Sequence, residues 1–394
     1  RSAALVDGTS AHALDYDDVD DALLAHPSAV LVPTLLALGD ACGSSGEELL
    51  VAYRRGLDTC RVVARLLGVE GHYRAGWHAT STVGTLGAAA AAARLLGLSA
   101  GTAQHCFGMA ATMAGGSRQN FGTMTKPLHV GLAAERGILA AQLARRGQTA
   151  DPDQLEGPMG FLALFGDPSR PGPQAAEDAF MCLSPADPDG LNVKLHPCCY
   201  ATHAAIDAAL EVAASLPGGE QPAGIEVVVP PGGLAPLIHS RPADGLQAKF
   251  SLEYAVAAAV LDHGVTLASF EDARVRRTDV QALLRTVEVG VAETPPAGPP
   301  VWYDAFAAVV TLRLAGGASA TTRIDKPAGH ALRPVSEQQL RAKFADCLGS
   351  VGIASVDEAY ETLRTLRSQP SAGAVLDVLV AWRVGLTTEG LAAR

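Results

Sequence analysis

The stretch running from His12 through Asp15, Asp17, Asp18, Asp20 and Asp21 to His26-Pro27-Ser28 sets five aspartates close together and brackets them with histidines. Its few leucines cannot bury so many carboxylates, so the segment requires water, cations or a polar cleft around it. From Pro27 an apolar run begins with the features of a helix start, which delivers His26 at a helix N-terminus. Free amide donors and the positive end of the dipole favour an anion there. The arrangement recurs. His78 precedes a second helix, with Thr80 or Ser81 as its expected N-cap. Lys126 precedes Pro127 and a third helix, and His129 lies one turn further along the same face. A lysine in that place opposes the macrodipole unless an anion sits between them. Lys194, ahead of Pro197-Cys198-Cys199, is a fourth such residue.

Histidines, lysines and helix N-termini together make a site for a small molecule bearing two or three carboxylates. Histidine supplies an acid or base near neutral pH, and the positive groups stabilise charge that builds on a carboxylate as its α-proton leaves. A carboxylate such as Asp15 or Asp17 can fix a histidine tautomer. We therefore assign His26, His78, Lys126 and Asp15 to catalysis, and Lys194, His129, Cys199 and Arg118 to substrate contact. Taken singly, each has a plainer reading: a solvated acidic turn, a capping histidine, a lysine pointing into water. Recurrence at three helix starts tells against those readings. Other chemistries lack their motifs, since there is no G-x-S-x-G, no G-x-x-x-x-G-K-[ST] and no G-x-G-x-x-G after a strand. The aspartate spacing matches no defined cation loop, and neither a metal nor a cofactor is expected. The vicinal Cys198-Cys199 pair reads as two ordinary thiols, because a vicinal disulfide is strained.

The elements that must position these residues are mostly helices. Only 5% of the 394 residues are aromatic, and the Ala-, Gly- and Leu-rich runs favour closely packed helices. Helices are expected over 27–39 and 46–68, from the Thr80 or Ser81 cap to about 96, and over 101–114 and 127–146, the last closed by Gly147. Residues 69–81 read as a polar link and 148–190 as loops and turns. A change of pattern follows: a helix over 202–216, a strand from Gly224, a helix over 250–263, and alternating strands near 285–292 and 307–324 joined at Gly316-Gly317. Helices return over 336–348, 357–366 and 372–383. The fold is thus mainly α: a large all-helical domain in two parts, 1–189 and 333–394, with a smaller inserted α+β lid domain, 190–332. Pro295–Pro300 is a surface loop. The opening Arg1-Ser-Ala-Ala-Leu reads as the end of a helix in progress and suggests that the native chain begins earlier. A net charge of −11 and the lack of any Lys/Arg run argue against a nucleic-acid partner. Seven cysteines without a C-x-x-C pair fit reduced thiols in a cytoplasmic protein. No uninterrupted apolar run is long enough to span a membrane.

Several of these motifs carry a resemblance. His12-Ala-Leu-Asp-Tyr-Asp-Asp with His26-Pro-Ser, Gly76-Trp-His78, Thr125-Lys-Pro-Leu-His-Val-Gly131, Lys194-Leu-His-Pro-Cys-Cys and Lys249-Phe-Ser-Leu-Glu-Tyr-Ala are similar to the MmgE/PrpD family, in the family's order over most of the chain. The resemblance implies a helical domain, an α+β lid, a homodimer and a site in the cleft between domains. It also implies a cofactor-independent proton transfer next to a carboxylate, as in 2-methylcitrate dehydratase, cis-aconitate decarboxylase and iminodisuccinate epimerase. Asp15, His26, His78, Lys126 and Lys194 match positions that line the family's cleft. Where the decarboxylase has a histidine after its Lys-x-x-Pro stretch, this sequence has Cys199, which counts against cis-aconitate decarboxylation. The expectation is a dehydratase acting on a citrate-like hydroxy acid, then an epimerase of an iminodisuccinate-like polycarboxylate, then a non-catalytic carboxylate binder.

Overall fold

The computed structural model describes residues 1–167, 190–216, 222–292, 306–349 and 356–377. They are mainly helical. Helices α1 (Ser2–Ala13), α2 (Pro27–Cys42), α3 (Gly46–Leu67), α4 (Val69–Arg74), α5 (Ala79–Leu95), α6 (Ala100–Met113), α7 (Thr125–Arg145) and the short α8 (Phe161–Phe165) surround one apolar core. At its centre lies α5, buried at every residue from Ala79 to Ala93 and packed against α2, α3, α6 and α7. Its composition explains that position. Because most of its residues are Ala, Gly, Ser or Thr, neighbouring backbones come close enough for dispersion contacts to accumulate along it. A Cβ on Gly137 of α7 would stand 2.4 Å from the Ala88 methyl and 2.7 Å from the α5 backbone. On the other side of α7, Gly8 of α1 meets Gly131 in the same way, its Cβ position 3.0 Å from the Gly131 Cα.

A second apolar core belongs to an α+β unit. It comprises α9 (His203–Ser215), β1 (Pro222–Val229), α10 (Leu252–Asp262), α11 (Thr278–Leu284), β2 (Val287–Val291), β3 (Ala308–Leu314) and β4 (Ser319–Ile324). The sheet order is β2-β1-β3-β4. β1 and β2 are parallel, with Ile225 opposite Val287, and the long connection that a parallel pair needs carries α10 and α11. β3 runs antiparallel to β1 and β4. Inward-facing Ile225, Val227, Val310 and Leu312 meet α9 and α10, which accounts for the alternation in the sequence. Helices α12 (Glu337–Gly349) and α13 (Val356–Arg364) follow. After them the chain rejoins the first core: Ala372 is buried in it, and its N–H donates to the Ser44 carbonyl at 2.7 Å.

Three local expectations change. The link after α3 contains a short helix, α4. α5 begins at Ala79 with His78 itself as N-cap, so Thr80 and Ser81 lie inside its first turn. The cause is the bridge between Trp77 and Ser117, which holds the backbone extended up to His78. Opposite it, α7 starts at Thr125, two residues before Pro127. Most of the expected loop beyond Asp167, the Pro295–Pro300 loop and the end of the 372–383 helix fall outside the described residues, of which 372–377 are helical.

The packing predicts a contrast between two glycines. Gly137→Ala forces a methyl onto the α5 backbone and should cost about 1–3 kcal/mol. Gly101→Ala, exposed on α6 with open space around its Cβ position, should be neutral or stabilising by up to about 1 kcal/mol. Urea midpoints of the two variants at an unchanged m-value check both signs.

Candidate active site

The acidic stretch is not a solvated turn. Each of its five aspartates meets a different protein group. Asp15, at φ +51°, accepts from Lys126 Nζ at 2.7 Å and from Lys194 Nζ. Asp17 accepts from His12 Nδ1 at 2.6 Å. Asp18 takes the Ser28 N–H at 3.1 Å and the Ser28 hydroxyl at 2.5 Å, and so serves the first turn of α2. Asp20 pairs with Arg61 at 2.8 Å. Asp21 accepts from Asn192 Nδ2 at 2.8 Å and lies 3.1 Å from His330 Nε2. The polar surroundings required by the sequence are therefore the protein's own donors, recruited from both halves of the chain.

The lysine at the start of α7 is explained by Asp15, which is the anion that its position demands. Burial opposes ionisation of Asp15, but the Lys126 and Lys194 ammoniums outweigh it and hold the carboxyl well below its usual range. Burial likewise works against the charge on Lys194, fully enclosed, and Asp15 and Asp17 more than offset it, so that its pKa is raised. Lys126 also sits 4.7 Å from the Phe250 ring centroid and 5.2 Å from that of Phe121. A third lysine, which the sequence shows only within a family-like motif, joins them. Lys249 donates to the carbonyls of Leu14 and Pro197, both at 2.6 Å, and so ties the acidic stretch to the α+β unit. Burial pushes it down to about 8. Its signals in the sequence are that motif and a position just ahead of α10.

The histidines gather opposite these charges. His26 is the N-cap of α2, and its Nδ1 donates to the Asp18 carbonyl at 2.8 Å. A carbonyl can only accept, so Nδ1 carries the proton and Nε2 keeps its lone pair. Burial pushes His26 down to about 3 and His78 well below the ordinary histidine value. Both are neutral at pH 7. The Nδ1 atoms of His78 and His129 are 3.2 Å apart, and the edge of His78 meets Phe121. His12, in the last turn of α1, has no assigned role in the sequence beyond opening the acidic stretch and its motif. Its ring lies 4.9 Å from that of His26 and 6.0 Å from that of His78, centroid to centroid. His12 Nε2, His78 Nε2 and Asp17 Oδ1 are buried with no hydrogen-bond partner. Unsatisfied polar atoms are costly in a dry interior, and a polar ligand would relieve that cost.

Asp15, His26, His78, Lys126 and Cys199 line one cleft of about 650 Å³, its solvent mouth included. Tyr73, Phe121, Phe250 and Phe306 form its apolar walls. The remaining expected site residues stand off this lining. Lys194 lies beneath Asp15 and His129 behind His78. Arg118 departs furthest from the expected substrate contact: its two terminal nitrogens donate to the Tyr73 and Ala235 carbonyls at 2.8 and 2.7 Å, and its plane covers the Tyr73 ring at 3.6 Å. A guanidinium so engaged works as a strut between the helical part and the α+β unit. Burial raises both thiols, Cys198 to about 12, so neither is a thiolate near pH 7. Among the described residues one group offers three metal-ligand atoms, His12, Asp17 and His26, within 4.8 Å of one another. These atoms already bond to each other and to Asp18, and Lys194 Nζ stands 3.9 Å from Asp17. Electrostatically that favours an anion over a cation.

Fold and site together define a mainly helical protein with a histidine- and lysine-lined cleft suited to a small anion. The MmgE/PrpD N-terminal domain matches residues 1–174 and the MmgE/PrpD C-terminal domain residues 196–366. The chain is 33% identical over 365 residues to a cis-aconitate decarboxylase of Mus musculus, covering 87% of this chain and 70% of that protein. It is 31% identical over 351 residues to that of Homo sapiens, with 87% and 71% covered. To a cis-aconitate decarboxylase of Aspergillus terreus (strain NIH 2624 / FGSC A1156) it is 25% identical over 381 residues, with 89% and 75% covered. The chain belongs to the MmgE/PrpD family. No helix among the described residues is long and apolar enough to cross a membrane.

The depressed His26 has a consequence for stability. Its folded pKa is below its unfolded value, so the unfolded chain binds more protons and His26 costs stability as pH falls from about 6.5 towards 3. Asp18 and Asp20, pushed up by burial to about 7 and about 6, act in the opposite sense and mask this in the wild type. His26→Asn keeps a donor for the Asp18 carbonyl and removes the titrating ring. The unfolding free energy of this variant relative to wild type should rise by about 1 kcal/mol per pH unit between 6 and 4. A difference that stays flat across that range would contradict it.

Proposed function

We propose that the chain is a cofactor-independent lyase that transfers a proton at a carbon next to a carboxylate of a citrate-like acid. What carries this reading is the convergence of Asp15, His26, His78 and Lys126 on one cleft that also holds unsatisfied histidine nitrogens. Asp15 is held ionised by Lys126 and Lys194, and the two lysines leave an electropositive floor for a substrate carboxylate. His26, its tautomer set by Asp18, and His78 present neutral imidazoles as proton carriers. The α+β unit, residues 190–332, would act as a lid over the helical body of 1–189 and 333–394, with Arg118 and Lys249 crossing the seam. The working form would be a homodimer.

The relatives named above act on cis-aconitate, so a decarboxylation is the first reaction to test. In it the bond to one carboxyl breaks, CO₂ departs, the electron pair shifts through the alkene, and the distal carbon next to a carboxylate accepts a proton. The dehydratase expected from the sequence finds no support among those relatives. It stays as a second reading for one reason: Cys199, a neutral thiol, faces the cleft where the family's decarboxylase carries a histidine. The reverse proton movement, abstraction by a neutral histidine followed by loss of hydroxide as water, suits the same groups.

Incubation with cis-aconitate and, separately, with 2-methylcitrate in D₂O distinguishes the reactions. A decarboxylase should release CO₂ from the first acid and place one deuterium on the product methylene. A dehydratase should form an alkene from the second without CO₂. If neither acid is turned over, the proposal fails. Lys126→Met should lower kcat/KM by about 10²–10³-fold, since it removes a charge partner that is buried in the cleft. Dialysis against a strong chelator should leave turnover intact, and a loss restored by Mg²⁺ or Mn²⁺ would overturn the metal-free mechanism.

A further inference from the structure

His12 lies outside the cleft lining and has no part in the chemistry above, yet it is placed between both proton carriers. It is 2% exposed, its Nδ1 donates to Asp17, and its Nε2 lone pair has no partner. The four imidazole rings stand close together, and His78 and His129 are within hydrogen-bond distance of each other. Ring centroids are 4.9 Å apart for His26 and His12, 6.0 Å for His12 and His78, and 5.4 Å for His78 and His129. Of the four, only His12 makes a direct hydrogen bond to a carboxylate, the group that stabilises an imidazolium. Asp17 Oδ2 is 3.6 Å from His26 Nδ1, so the same carboxylate touches two of the rings.

Charge accounting shows why such a residue is needed. Asp15 and Asp17 face the ammoniums of Lys126, Lys194 and Lys249, which leaves one net positive charge, and the histidines are neutral before the substrate arrives. A citrate-like acid enters with two or three negative charges at neutral pH. In a dry cleft that excess is costly, and the nearest lone pairs able to take up a compensating proton are on the imidazoles. Decarboxylation also needs a proton at the distal carbon, and an imidazolium gives one up far more readily than a neutral imidazole.

Resting on the carboxylate reading of the site, we infer that His12 is its proton store: a proton taken up with the incoming polycarboxylate rests on His12 against Asp17 and passes from there to His78 or His26. The step balances. His12 Nε2 accepts a proton supplied through solvent by the buffer acid, which is left as its conjugate base; Asp17 stays ionised throughout, and His12 returns to neutral when the proton moves on to the residue facing the substrate. The charged and titratable groups around His12 are Asp17 and Asp15 from the acidic stretch, His26 at the start of α2 and His78 at the start of α5. Lys126 and His129 face it from α7, and Lys194 from beyond Asp15. The two lysines oppose a charge on His12 and the two aspartates favour it. A polyanion bound at Lys126 would tip that balance towards the imidazolium. His12 acts through its neighbours and is thus a positioning residue.

The test uses tricarballylate, a saturated tricarboxylate that can be neither dehydrated nor decarboxylated by these routes. Its binding is followed by calorimetry at pH 7.5 in buffers of differing ionisation enthalpy, which counts the protons taken up. Wild type should take up about one proton per site, the charge needed to offset the excess. His12→Asn places an amide where Nδ1 was, keeps the donor to Asp17 and lacks the Nε2 lone pair. It should bind tricarballylate while losing at least half of the proton uptake, and turnover of cis-aconitate should lose its solvent-derived proton rate at alkaline pH first. Asp17→Asn should lose the uptake in the same way. A purely structural His12 predicts that His12→Asn matches wild type in proton count, and that result would overturn the inference while leaving the carboxylate site standing. Wild type that binds with no proton uptake would overturn it too. Failure of wild type to bind any tricarballylate would instead remove the carboxylate reading and this inference with it.

Discussion

One carboxylate between two ammoniums organises the molecule. Asp15 comes from the turn after α1, Lys126 from the start of α7 and Lys194 from the border of the α+β unit, and all three are nearly closed to solvent. Taking three charges out of water costs several kcal/mol per ion, and their mutual attraction offsets that only when geometry and hydrogen bonding are close to ideal. Such a cluster is poor evidence for stability. It is better evidence for specificity, since any misalignment of the three segments leaves a bare buried charge. A left-handed backbone at Asp15, unusual for a residue other than glycine or asparagine, is the local cost of aiming the carboxylate at both lysines.

That alignment depends on how closely the helices pack. α5 and α7 touch backbone to backbone because alanine and glycine leave nothing between them. The N-termini of α2 and α5 then come together: the His26 amide donates to the hydroxyl of Thr80 in the first turn of α5. A bulkier interface would hold the axes further apart and separate His26 from His78. The small residues where α5 meets α7 and the gathering of four imidazoles in one small volume are linked in this way.

Burial also sets the chemistry. Desolvation outweighs every favourable neighbour of His26 and His78, so these rings stay uncharged beside ionised lysines and aspartates. A cleft of this kind holds an anion at its lysines and presents lone pairs to the adjacent carbon. Arg118, which on charge alone belongs with the anion binders, is spent on two carbonyls and an aromatic face. Its loop packs against Tyr73 on one side and Ala235 on the other, and it shares the Tyr73 carbonyl with the Gly76 N–H.

How much of this was legible in the sequence depends on the range of the interaction. Local features were clear. Pro27 marked the start of α2, Gly147 the end of α7, and the alternation of 307–324 marked a hairpin, because dihedral limits and side-chain periodicity act over a few residues. His26, His78 and Lys126 stood out for the same reason, since each is tied to its own helix terminus. His12 and Lys249 were given no role, and the carbonyl partners of Arg118 were not foreseen, because these contacts reach residues 5, 235 and 117 positions away in directions that periodicity does not encode. The start of α5 moved by a residue or more because Ser117, far along the chain, holds Trp77 extended. The sequence by itself determined the helical class, the acidic stretch and the chemical types that meet at the cleft. Only the tertiary structure decided that the anion facing Lys126 is Asp15, and that the histidines are neutral. Both follow from desolvation and long-range pairing, which exist only once distant segments have closed around the same small volume.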